Sequence, residues 1–118
     1  MISILGSEWE IVERSCNDDP RLSDCDGYCD WSVSLIVIRK EAKEDGNLDD
    51  MEVYMRKVLR HEIVHAFLFE SGLAHASCSV DAWAANEEMI DWFARMGERI
   101  FKAWKDADAL EKSGEELN

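Results

Sequence analysis

Residues 49–71 run without a proline or a glycine, and both flanks carry signals that start and stop a helix. Asp49 with Glu52 three residues later makes a capping-box pattern, and Gly72 suits the left-handed residue that closes a helix. A helix of this length must lay its apolar side on another layer. Turned with the helical period, Met51, Tyr54, Val58, Leu68 and Phe69 share one arc, and His61, Glu62 and His65 fall in its middle. Glu52, Arg56, Lys57, Arg60 and Glu70 take the opposite side. Ile63 and Phe67 fall near that charged side, where they are expected to pack under a sheet or meet a partner. Three polar groups within a core-facing stripe need something to satisfy them, because burying them unpaired is costly.

The polar group reads His61-Glu62-Ile63-Val64-His65, an HExxH motif. Residues four apart share a helical face, so two imidazoles can reach one metal ion, and Glu62 can reach a water there. A catalytic zinc site needs a third protein ligand and an open position. Downstream, the candidates are Glu87, His75 and Glu88. A second long helix is expected from about residue 79 or 81 to about residue 105, with Trp83, Met89, Ile90, Phe93, Ala94, Ile100, Phe101 and Trp104 on its apolar arc. Glu87 is preferred because it borders that arc, whereas Glu88 lies on the polar side near Arg95 and Arg99. Asp91, one turn beyond Glu87, is placed to accept a hydrogen bond from the far nitrogen of a ligating histidine.

Ahead of the helices, residues 2–5 and 9–12 are short β-prone runs split by Gly6-Ser7, which predicts a hairpin. A loop dense in Asp, Ser and Gly follows to Gly27, and residues 31–39 then read as a strand. The expected fold is α+β, a small amino-terminal antiparallel sheet packed on two long helices. The chain fits a single domain spanning 1–118, with a frayed tail from about residue 106.

A net charge of −13 argues against nucleic acid or an anionic membrane as a main partner, since phosphate binding needs a basic surface. No apolar run is long enough to span a membrane and no signal peptide is visible, so a cytoplasmic setting is expected. There Cys16, Cys25, Cys29 and Cys78 would be reduced; the Cys25 and Cys29 spacing admits a second metal site, but buried thiols are the simpler reading. The tryptophans fit core packing better than a ligand platform, with Trp83 and Trp104 at helical apolar spacing.

HEIVH followed about twenty residues later by Asn86-Glu87-Glu88-Met89-Ile90-Asp91 resembles the gluzincin pattern HExxH…NExxxD of thermolysin-like peptidases. The longer run LRHEIVHAFLFESGL, then NEEMIDWFA, with the upstream DDPRL…CDGYCD and IVIR, resembles a family of small zincin-like metallopeptidases of phages, prophages and Gram-positive bacteria. The resemblance implies a minimal zincin-like domain holding one zinc ion through His61, His65 and Glu87, with Asp91 supporting a histidine and Glu62 as general base. It further implies hydrolysis of a peptide or protein, aligned by strand addition along residues 31–38, in the host cytoplasm if phage-encoded. His75 and Tyr54 are candidate helpers for the oxyanion. The chain lacks the carboxy-terminal domain that builds the thermolysin cleft. That departure keeps a second reading in play, a catalytically idle zinc-binding module of phage origin that regulates or binds a protein partner, and a partner or inhibitor could also block the site.

Overall fold

The computed structural model describes residues 1–40, 51–76 and 87–111. They form a mixed α+β structure, a four-stranded sheet carrying two long helices. The expected hairpin is present: β1 (Ile2–Ile4) runs antiparallel to β2 (Ser7–Arg14), with Ile2 opposite Trp9. Its two-residue turn has both φ values positive, Leu5 at 50° and Gly6 at 88°, the hand that matches strand twist.

β3 (Gly27–Asp30) and β4 (Leu35–Arg39) complete the sheet in the order β1-β2-β4-β3. β4 pairs antiparallel with β3 but parallel with β2, so the sheet is mixed and the expectation of an antiparallel one is corrected. The connection explains this. After Arg14 the chain crosses through a loop and a 3-10 turn (Pro20–Ser23), lays down β3 on the outside, and folds back as β4 beside β2. β4 takes the inner place because Ile36, Val37 and Ile38 are all buried, the near-continuous apolar run of a strand covered on both faces.

The strand read over residues 31–39 is shorter than expected. Trp31–Val33 form a 3-10 turn, because the Asp30 side chain accepts a hydrogen bond from the Ser32 N–H at 3.1 Å. Ser34 then takes a left-handed conformation at φ 53° before β4 begins. Residues 31–38 therefore include the β3–β4 turn and an inner strand, and the edges of the sheet are β1 and β3.

Among the described residues three helices follow: α1 (Met51–Glu70), the short α2 (Leu73–Ala76) and α3 (Glu87–Asp106). Gly72 closes α1 at φ 83°, as expected, while Asp49 and the predicted first residues of the second helix lie outside the described residues. The main core gathers Ile4, Trp9, Ile36, Ile38, Met55, Ile63, Ala66, Phe67, Ile100 and Ala103 between the sheet and the helices. The buried side of α1 is thus Met55, Glu62, Ile63, Ala66 and Phe67, and His61 and His65 are exposed. This corrects the sequence reading, which centred the core stripe on all three motif residues. Both arcs of α1 carry apolar side chains, and the sheet covers the Ile63 and Phe67 side.

α3 shows a similar rotation. It buries Ile100 and Ala103, with Trp92, Met96 and Trp104 half-buried, while Phe93 and Phe101 from the expected apolar arc are 43% and 53% exposed. Residues 107–111, read as the start of a frayed tail, are instead held against α1. Arg56 donates to the carbonyls of Asp108 and Leu110, Arg60 donates to that of Ala109 at 3.0 Å, and Ala109 is fully buried. Among the described residues no helix is long and apolar enough to cross a membrane.

Candidate metal centre

His61 and His65 stand one turn apart on α1 and turn their rings to the same point, with Nε2 atoms 3.1 Å apart and ring centroids at 4.8 Å. Two nitrogens bound to one tetrahedral zinc, each about 2.05 Å away, sit about 3.3 Å apart. The histidine pair therefore fits the spacing that two ligands of one ion require. Partial burial and the neighbouring His61 hold the His65 imidazole below its usual pKa, which favours the neutral ring that coordinates metals.

Glu62 lies between them in sequence and turns inward, with only 7% of its surface exposed. Among the described residues no hydrogen bond to its carboxylate is present, and burial pushes its pKa up to about 7. Its carboxyl group lines the cleft, and desolvation there favours the protonated form.

The cleft is formed by β3 across from α1. One lobe of about 390 Å³ is lined by Gly27, Tyr28 and Cys29 of β3 and by His61, Glu62, His65 and Phe69 of α1. A second lobe of about 300 Å³ shares Gly27, His61 and Glu62 and extends to Asp26, Tyr54 and Lys57. Gly27 is what lets the strand come so close. A Cβ there would lie 3.0 Å from the Val37 carbonyl oxygen and 3.1 Å from Val58 Cγ1. Gly27, Cys29 and Phe69 are walls of this cleft that no sequence motif marked. The four-residue β3 was hidden between loop residues, and its uniformly half-buried residues show no alternation that would mark a strand.

The other predicted residues are dispersed. Glu87 opens α3 on the exposed surface, and Glu88 is exposed beside it. Asp91 accepts a hydrogen bond from Arg95 Nε at 2.8 Å rather than from a histidine. His75 sits against Trp31, and the Tyr54 hydroxyl donates to Asp26 at 2.5 Å. Among the described residues no group of three His, Cys, Asp or Glu side chains is assembled to hold a metal. Cys25 and Cys29 are free thiols, and Cys78 lies outside the described residues. Burial, reinforced by Glu62 and Asp30, pushes the Cys29 thiol up to about 12, so it is protonated and unreactive at neutral pH.

Comparison with known proteins finds no matching family profile, no similar curated protein and no similar solved structure.

Proposed function

We propose that the chain is a zinc-dependent peptidase of minimal zincin-like, gluzincin-type form, acting on a peptide or protein in the cytoplasm. The observation that carries this reading is the convergence of the His61 and His65 Nε2 atoms beside Glu62, whose carboxyl group lines the same cleft with its pKa raised by burial. His61, His65 and Glu87 would hold the ion, with Asp91 steadying a histidine. When bound, zinc supplies Lewis acidity that acidifies water and polarises a carbonyl. Glu62 takes the proton of the attacking water and passes it to the leaving amine, and a pKa near the working pH suits both transfers. β3, at the edge of the sheet and on the wall of the cleft, offers its free backbone groups to an extended substrate by strand addition.

A second reading is a zinc-binding regulatory or interaction module without catalysis. It needs the same ion, so the exposed position of Glu87 and the pairing of Asp91 with Arg95 bear on both readings alike. The two separate on purified protein. Elemental analysis is expected to find about one zinc per chain, together with cleavage of a mixed peptide library that stops on chelation. Bound zinc without cleavage would favour the idle module, and no tightly bound metal at neutral pH would defeat both.

A further inference from the structure

A cavity of about 430 Å³ lies between α3 and the β1–β2 hairpin, and it shares no lining residue with either lobe of the histidine cleft. Its size falls within the roughly 300–1,000 Å³ of small-molecule sites. The helical period decides what α3 presents to it. Arg99, Lys102, Ala103 and Asp106, spaced i, i+3, i+4 and i+7, follow one stripe and all line the cavity. The hairpin contributes Ser3 from the edge strand β1, with Leu5 and Gly6 from its turn. Phe67 and Ala103 are 1% and 3% exposed, so they form an apolar floor, while Arg99 and Lys102 are exposed and stand at the rim.

The charges at that rim do not cancel. Lys102 Nζ and Asp106 Oδ2 pair at 2.7 Å, which leaves Arg99 without an ion pair or hydrogen bond among the described residues. An arginine on a flat surface is satisfied by water alone. Here a second cation stands three residues along the same stripe, and like charges so placed on a helix disfavour each other. One acid against two cations leaves the rim positive, in a chain whose 26 acidic side chains outnumber its 13 basic ones. The net charge of −13 repels an anion at long range, but screening over about 8 Å at physiological salt leaves the rim to decide what enters. A guanidinium holds a carboxylate through two parallel hydrogen bonds, and the floor below removes an aliphatic body from water.

We infer that this cavity binds a small amphipathic carboxylate, its charged end on Arg99 and Lys102 and its aliphatic chain on Phe67, Leu5 and Ala103. Both halves of the ligand are required. An inorganic anion leaves the floor bare, and an alcohol leaves Arg99 without a counter-charge. The inference is independent of the peptidase reading, because no residue of the histidine cleft takes part.

The test titrates the full nitrogen-15-labelled chain with hexanoate, 1-hexanol and acetate and follows the amide chemical shifts. Hexanoate is expected to move the Gly6, Arg99 and Ala103 signals and to bind about 10-fold tighter than either 1-hexanol or acetate. Arg99→Gln should bring hexanoate to the level of 1-hexanol, and Arg99→Lys should keep part of the preference. Lys105→Gln, which removes a cation of α3 outside the cavity, should change nothing. Absence of hexanoate binding at millimolar concentration, binding no tighter than that of 1-hexanol or acetate, or a preference that survives Arg99→Gln overturns the site. Shifts centred on His61 and His65, with none at Gly6 and Arg99, overturn it as well. Should Arg99→Gln lose its fold by circular dichroism, Lys102→Gln replaces it and is expected to reduce the preference. A protein that binds no zinc yet takes hexanoate through Arg99 keeps this site and loses the peptidase reading. An active peptidase that does not bind hexanoate keeps that reading and loses the site.

Discussion

Asp19 and Glu62 are carboxylates of almost equal burial, 6% and 7% exposed, in opposite circumstances. Asp19 accepts hydrogen bonds from the Tyr28 hydroxyl, from Arg14 Nη1 at 3.3 Å and from the Arg21 N–H at 3.2 Å. The Tyr28 hydrogen bond is the chief reason its pKa lies below the usual carboxylate range. Through these bonds one side chain ties the crossing loop to both β2 and β3. Glu62 has no such donors among the described residues, and burial raises its pKa to about 7. The difference teaches how to separate support from chemistry. A buried acid that holds a fold together is surrounded by donors, whereas Glu62 faces a cleft with its pKa raised by desolvation alone.

The sharpest way to break this contrast is to neutralise Glu62. Glu62→Gln is expected to lower the hydrolytic rate by about 10²–10⁴-fold while leaving zinc content and circular dichroism unchanged. A variant as active as the parent would remove Glu62 from the chemistry altogether.

Next in size is the ligand that would explain why Glu62 is bare. Glu87→Ala should weaken zinc affinity by at least about 100-fold in a chelator competition, with Glu88→Ala indistinguishable from wild type. The reverse result would move the third ligand by one position.

The pH dependence of stability tests the two acids together. Glu62 has a folded pKa raised from 4.5 to about 7, so its contribution is fully present below pH 4.5 and is lost as pH rises through about 7. Without added metal, urea denaturation should show up to about 3 kcal/mol of stability lost over that range, and Glu62→Gln should flatten the curve. Asp19 has the opposite sign. Its lowered pKa contributes stability above the ordinary value of 3.8 that is lost as pH falls through the folded value. Asp19→Asn should accordingly remove part of the acid-side decline.

The smallest effect expected concerns Asp19 at neutral pH. Asp19→Asn keeps the shape and loses the charge, so the melting temperature should fall by several degrees with zinc content unaltered. If Asp19→Asn abolished zinc binding while Glu62→Gln unfolded the protein, the assignment of the two roles would be inverted.

Much of this molecule could be read before its structure was seen. Local rules carried the α1 helix, its Gly72 cap, the β1–β2 hairpin and the apolar β4, because each depends on neighbours within a few residues. The spacing of His61 and His65 on one face was legible for the same reason. The face of α1 that meets the sheet was not legible. Met55, Ile63 and Phe67 compete with Tyr54, Val58 and Phe69 for that place, and periodicity cannot choose between two apolar arcs. β3 escaped notice because four residues between loop segments leave little pattern, yet it supplies the wall of the cleft.

The sequence by itself determined the helix and the histidine spacing, since a 3.6-residue period sets those geometries without outside help. Only the tertiary structure decided that Glu62 is buried and its two histidines exposed, and that β3 is the strand beside them. Those outcomes depend on which surfaces the whole chain removes from water, a sum over contacts between residues far apart in sequence that no local pattern contains.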